Sequence, residues 1–582
     1  MRALRGWKLP VLLIVLLVVV FGVYAAWQVW KVSTDLNAAS EDARVLQEAV
    51  TSGDDSAAAA ALTRMQESAR SAAARTDGPV WSVLTWAPVV GDDLDGVRTV
   101  SGVLDDLARD GAEPLLEVSR DISGLSPRDG AVDLALVESM REPVARGKAA
   151  FEDAQKKLSE HDPAGFTGRL QGPYRDAVSQ VDRASRALGT ADTALEIMPT
   201  MLGAEGSRNY LLVFQNNAEI RAGGGLPGAV SLVEANAGRV SLTRQVAASS
   251  FGRTDEPVLP LTDAEDEIWN RQLGTFFLDA NFTPDFPRTA ELWQARWEQE
   301  YETVDGVLTV DPVTLSYLLG ATGPIEVPGG PALTSENAVD ELLHQVYLRY
   351  EDPADQDAYF TAVAAAVFDR FLAGSEDPRT MIEALARGTD EGRVKVHSFD
   401  DAEQAALAGS RIAGELVFSP TADPQVGAYL NDVTGAKMSY FLRHDVQVTA
   451  NSCVDGVQRL TGRAYLLSDA PENAASLPDY VTGAEIFGIS AGSQRVAMQI
   501  IGPVGGAISD VQFNGAEIVT PPAVDLEGRP VVTVLMDLEP KFTADVEWHM
   551  TTGSNQTGNV SVETTAGIEP EKKDRTVPSA CS

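Results

Sequence analysis

Between Lys8 and Lys31 the chain carries no charged residue, and Leu9 to Trp30 reads LPVLLIVLLVVVFGVYAAWQVW. Twenty-two such residues span a hydrocarbon core of about 30 Å as a helix. In hydrocarbon the backbone must satisfy its own polar groups, so a run like this one has a helix as its only single-segment solution. Arg2, Arg5 and Lys8 precede it, and Trp7, Trp27 and Trp30 flank it where indole rings favour the membrane interface. The pattern predicts a cytoplasmic N-terminus over 1–8, a transmembrane helix over 9–30, and the bulk of the chain outside a cell membrane. The competing reading is a signal peptide cleaved near Val23-Tyr24-Ala25. The apolar run continues past that point, which favours an uncleaved anchor.

The rest of the chain must then suit an exterior compartment. Lys and Arg number 46 against 84 Asp and Glu, a net charge of -38 over 582 residues. A phosphate backbone has to be met by cations, so this balance excludes nucleic acid as a partner. Apolar residues make up 44% of the chain, which is globular composition with material for several cores. The two cysteines, Cys453 and Cys581, form no CxxC, and the five histidines are scattered without HExxH spacing, so a zinc site is not expected. An oxidising exterior permits a Cys453–Cys581 disulfide that fastens the C-terminal tail.

Three regions follow the anchor. Residues 31–204 read as helices, with apolar residues at helical spacing and breaks at Gly53-Asp54-Asp55, Asp77-Gly78-Pro79, Ser126-Pro127 and Asp162-Pro163. Such a region is a stalk or bundle. Residues 205–435 mix strands and helices as a layered α/β domain. Its strands are predicted at Asn209–Gln215, Gly228–Ala235, Arg239–Arg244 and Gly306–Val310, and Asp311-Pro312 opens a helix. In 436–582 the period becomes two, as in Asp445–Thr449, Arg463–Leu467, Arg495–Ile500, Val531–Met536 and Asp545–Met550. That spacing predicts an antiparallel β-sandwich. The expected fold is therefore multidomain α+β.

Two motifs imitate catalytic signatures. Gly223-Gly224-Gly225-Leu226-Pro227-Gly228 satisfies GxGxxG, but a strand follows where a dinucleotide site needs a helix. Gly488-Ile489-Ser490-Ala491-Gly492 satisfies GxSxG, again without the helix of a nucleophile elbow. A third segment is chemically richer. Asn216-Asn217-Ala218-Glu219-Ile220-Arg221 sets amides, an acid and an Arg beside the glycine turn, whose N–H groups can form a nest for an anion. The bland reading is a turn in which Glu219 and Arg221 simply pair.

The segments NYLLVFQNNAEIRAGGGLPGAVSLVEANAGRVSL, NFTPDFP, DGVLTVDPVTLSYLLGATGPIEV and LPDYVTG, in that order from residue 209 to 483, resemble the family catalogued as domain of unknown function 4012. Its members are membrane-anchored proteins common in actinobacteria. The stretch from Asp305 to Val327 is more distantly similar to the LytR–CpsA–Psr wall-polymer ligases, which transfer polyprenyl-pyrophosphate-linked glycans. That similarity implies pyrophosphate binding by Arg221, Gly224, Gly225, Arg244 and Arg349. It also implies Glu219, Arg221 and Asp355 as catalytic candidates, with Mg²⁺ as a cofactor. The chain departs from those ligases in reading Arg244-Gln245 after the hairpin, where they carry Arg–Asp. The alternative function is a non-enzymatic adhesion or scaffold protein that presents the sandwich on its helical stalk.

Overall fold

Asp54 ends one long helix and caps the next. In the computed structural model, helix α1 spans Lys8–Ser52 and α2 spans Asp55–Thr76, with the Asp54 carboxylate accepting from the Ala57 N–H. The structure describes residues 8–88, 90–128, 130–374, 378–570 and 575–581, with side chains from residue 22 onward. Its contacts divide it into two units: residues 1–125 with 133–199, and residues 126–132 with 200–582.

The first unit is helical, as its spacing predicts. Ala58, Ala61, Leu62, Met65, Ala69 and Ala72 form one buried stripe of α2, and its four alanines let it lie close against α1. Ion pairs Asp35–Arg75 (2.9 Å) and Asp42–Arg64 (2.8 Å) set the two helices antiparallel. Helices α3 (Pro79–Leu84) and α4 (Gly91–Asp106) follow. Leu134–Ser159 and Gly168–Met201 are also helical, and Leu107, Leu158, Phe166 and Tyr174 form a small core. Residues 1–7, and the side chains of 8–21 that make up most of the expected span, lie outside the described residues. Among the described residues no helix is long and apolar enough to cross a membrane.

The second unit joins a five-stranded sheet to a sandwich. The sheet has the order β3-β2-β1-β4-β5, from strands β1 (Arg208–Arg221), β2 (Gly224–Asn236), β3 (Arg239–Ala247), β4 (Gly306–Val310) and β5 (Lys395–Ser398). β1 and β4 are parallel and the other neighbours antiparallel. One face of the sheet is packed dry: Leu211, Val213, Val230, Leu232 and Val307 are at most 2% exposed, in a cluster that contains Trp293 and Trp297 of helix Phe286–Trp297. The other face is covered by helices Pro312–Thr322, Pro353–Leu372 and Pro378–Asp390, where the packing is less complete.

The sandwich consists of β6 (Gln425–Asp432), β7 (Leu442–Val454), β8 (Val457–Ser468), β9 (Gln494–Ile501), β10 (Ala507–Phe513), β11 (Ala516–Glu517), β12 (Val524–Leu526), β13 (Arg529–Leu538), β14 (Thr543–Thr551), β15 (Val560–Thr564) and β16 (Thr576–Val577). Sheets β11-β10-β14-β8-β7 and β12-β13-β9-β6-β15-β16 share one core around Leu466, Met498, Leu538 and Trp548. Two expectations are corrected. The sandwich takes in Gln425–Asp432, so it starts upstream of 436, and β6 pairs parallel with β15, so it is not wholly antiparallel. β6 is buried on both faces and reads as an apolar run without alternation, which hides it from a search for period two. Cys453 and Cys581 form the expected disulfide, 128 residues apart in sequence.

Candidate functional site

β1 is long enough to belong to two cores. Its first half, to Phe214, pairs on both sides within the five-stranded sheet. Between Asn216 and Ile220 the register with β2 shifts, and the strand continues against the sandwich, where Ile220 joins the sandwich core. The Ile220 N–H donates to Ser439 Oγ (3.1 Å) and the Ala222 N–H to Asn431 Oδ1 (2.8 Å).

The bulge turns Glu219 and Arg221 inward, and both are buried. Arg221 Nη2 donates to Glu219 Oε1 at 2.6 Å and lies 3.4 Å from Asp279 Oδ1. Its Nη1 donates to the Asp432 carbonyl at 3.1 Å, and its guanidinium stacks 4.7 Å from the Phe282 ring centre. The other oxygen of Glu219 accepts from Lys437 Nζ. Burial alone would raise the Glu219 carboxyl, but the charges of Lys437 and Arg221 hold it below the usual range. Burial pushes Asp279 up to about 6. Asp432 is likewise raised to about 6, by burial and then by the charge of Glu219. Glu219, Arg221, Asp279 and Lys437 pair among themselves, while the Asp432 carboxylate accepts from the Thr434, Gly435 and Ala436 N–H groups and from Gln494.

The remaining expected residues lie elsewhere. Arg244 is opposite Leu232 on β2, eight residues from Gly224, or on the order of 25 Å along the strand. It is half-exposed, 3.5 Å from Glu302 and stacked on Tyr301. Arg349 is paired with Glu341 and lies over the Tyr350 ring. Asp355 is exposed in the first turn of Pro353–Leu372. The structure thus brings Glu219 and Arg221 together and leaves Arg244, Arg349 and Asp355 apart from them.

The glycine turn offers no nest. A Cβ on Gly225 would sit 2.4 Å from the Asn216 carbonyl carbon, and one on Gly224 would meet Gln215 Oε1 at 2.1 Å. These glycines allow close packing, and protein atoms already fill the space an anion would need. Sequence reasoning missed Lys437 and Asp279, whose charges pair with the segment, and Asp432, whose carbonyl accepts from Arg221, because no local signal links them to it.

A different feature stands out on the incompletely packed sheet face. A cavity of about 410 Å³ lies between the sheet and its covering helices. Leu212, Phe214 and Leu308 line it from the strands, and Val367, Phe368 and Phe371 from Pro353–Leu372. Its polar lining groups are engaged within the protein. Gln215 donates to the Gly223 carbonyl (3.3 Å), and Asn216 bonds Tyr347. Thr309 Oγ1 accepts from the Lys395 N–H (3.2 Å). Asp311 caps its helix at the Thr314 N–H (2.7 Å) and pairs with the fully buried Arg393 (2.8 Å). No Lys, Arg or His is among the lining residues described. Such a cavity can hold hydrocarbon and offers nothing to a charged group.

Among the described residues no three His, Cys, Asp or Glu side chains gather as a metal site. No curated protein and no solved structure matches this chain. Residues 205–347, which hold β1 to β4 and the Glu219–Arg221 bulge, match the family model described as "Protein of unknown function (DUF4012)".

Proposed function

We propose that this is a membrane-anchored cell-envelope protein whose α/β layer holds the long apolar chain of a lipid and does not catalyse its transfer. The cavity carries this reading. Its volume of about 410 Å³ lies within the range of roughly 300–1,000 Å³ usual for small-molecule sites. Unfilled apolar cavities stay dry and accept apolar guests. The same sheet packs its opposite face almost without exposure, so incomplete filling is particular to this side.

The ligase expectation loses its chemistry. A pyrophosphate needs free cations, and the charges of Arg221 are met by Glu219 and Asp279. Mg²⁺ has no part in the reading, because both oxygens of Glu219 are already engaged by Arg221 and Lys437. An anchor over 9–30 and an extracytoplasmic location are in keeping with the Cys453–Cys581 disulfide, since such bonds persist in oxidising compartments.

Detergent-solubilised full-length protein tests this with two fluorescent probes, a labelled isoprenoid alcohol and a labelled fatty-acyl chain. Saturable binding of one is expected, and the preferred arm identifies the lipid class. Ala364→Phe places a ring in the cavity and should abolish binding with the circular dichroism spectrum unchanged. No saturable binding in either arm, or equal binding by the variant, overturns the proposal in favour of the scaffold alternative.

A further inference from the structure

Among the described residues, the exposed large apolar side chains of the helical unit are gathered in two short segments. Val23, Tyr24, Trp27, Val29 and Trp30 lie on α1, and Val83, Trp86 and Val90 on α3 and the turn after it. Trp86 is 88% exposed. Scattered exposed apolar residues need no explanation, but a concentration of this kind does.

The helix register brings the two segments side by side. Asp42 pairs with Arg64 and Asp35 with Arg75, so α2 descends α1 toward its N-terminal end. The Arg75 guanidinium also lies 5.7 Å from the Trp27 ring centre. The chain then turns at Gly78-Pro79 into α3, which packs beside α1, α2 and α4. Trp81 is buried and donates from Nε1 to the Leu94 carbonyl (2.8 Å). Arg98 ties the Thr76 carbonyl (3.0 Å). The segment after α3 is hydrogen-bonded as well, from Ala87 N–H to Leu84 (3.0 Å) and from Gly91 N–H to Ala87 (2.8 Å). Trp86 is therefore presented by a built turn at the level where the charge-free run Leu9–Trp30 ends.

We propose that this turn is a second membrane contact: Val83, Trp86 and Val90 lie in the headgroup interface of the bilayer that α1 enters. The inference rests on reading Leu9–Trp30 as the anchor. Indole rings favour that interface, and Trp27 and Trp30 stand exposed at the end of the span as Trp86 does on the turn. Asp77 and Asp92, which flank the turn, are exposed acids, so the fitting surface is zwitterionic lipid. The contact would hold the helical unit at one angle to the bilayer, where α1 alone would act as a swivel.

The test uses the full chain with Trp86→Cys carrying an environment-sensitive fluorophore. The native cysteines are bridged, so the new thiol takes the label. A control label goes on Ser139→Cys, an exposed position in the helix Leu134–Ser159. Both proteins are reconstituted into phosphatidylcholine vesicles that carry headgroup-level spin-labelled lipid. The label at 86 should be quenched by the lipid several-fold more than the label at 139 and be shielded from aqueous iodide. Val83→Cys should behave like Trp86→Cys. If the protein floats with the vesicles yet iodide reaches both labels equally, the second contact is refuted and the anchor stands. Shielding from iodide without lipid quenching means that protein covers the turn, which also refutes it. If the protein does not float with vesicles, the anchor falls and the contact with it.

Discussion

Glu219 is the residue on which the catalytic and structural readings of the bulge differ most sharply. Its carboxylate is shared by Arg221 and Lys437, and all three side chains are at most 7% exposed. Glu219→Gln keeps the shape and removes the charge. Arg221 would retain Asp279 at 3.4 Å, but Lys437 would lose the carboxylate it is paired with and keep only the faces of Tyr347 and Tyr480. Removing one partner of a buried ion pair costs about 3–5 kcal/mol. That lowers the folded-to-unfolded ratio by between about a hundred-fold and several thousand-fold. Replacing both partners by apolar groups of similar volume is far milder, so Glu219→Leu with Lys437→Met should recover most of the loss. Urea unfolding of the solubilised protein, followed by tryptophan fluorescence, measures both. The structural reading is refuted if Glu219→Gln costs less than about 1 kcal/mol, the range of an exposed pair. It is equally refuted if the double variant is no more stable than the single one.

The same cluster sets a pH dependence. Asp279 and Asp432 titrate near 6 in the folded protein, above their unfolded value, so the native state binds more protons between about pH 4 and 6. Their contribution to stability therefore grows as pH falls through 6 and is lost as pH rises above it. The urea midpoint should be higher at pH 5.5 than at pH 7.5, and Asp279→Asn should flatten the difference. Cys453→Ser opens a closure of 128 residues, a loss of up to about 5 kcal/mol by loop entropy. Its first sign should be proteolysis of the tail that carries Thr576–Val577, and a tail as resistant as wild type would contradict this.

Features set by neighbours along the chain were legible. The break at Gly53–Asp55 and the cap at Asp311 fall where predicted, and the β2–β3 turn has Ala237 and Gly238 at positive φ. The partners of Glu219 and Arg221 were not, because they come from 58 to 218 residues away. The glycines look alike in sequence whether they cradle an anion or admit a neighbouring backbone. The cavity was hidden for a similar reason. Leu212 and Phe214 alternate with Leu211 and Val213 as in any buried strand, and nothing in that alternation tells a filled face from an unfilled one.

The sharing of β1 between two cores also imposes an order of assembly. The partners of its second half, Asn431, Asp432, Lys437 and Ser439, are made more than 200 residues after it, and Thr565, which reaches the Ala222 carbonyl, comes 343 residues later. Contacts so distant in sequence slow folding, because a long loop must close before they form. While the chain emerges, the segment from Asn216 to Arg221 has no cover for Ile220 and no counter-ion from Lys437. The matched family segment ends at Tyr347 and cannot by itself complete the strand it begins with. The α/β layer and the sandwich must therefore mature together, with the last residues of the chain closing what the first strand opened.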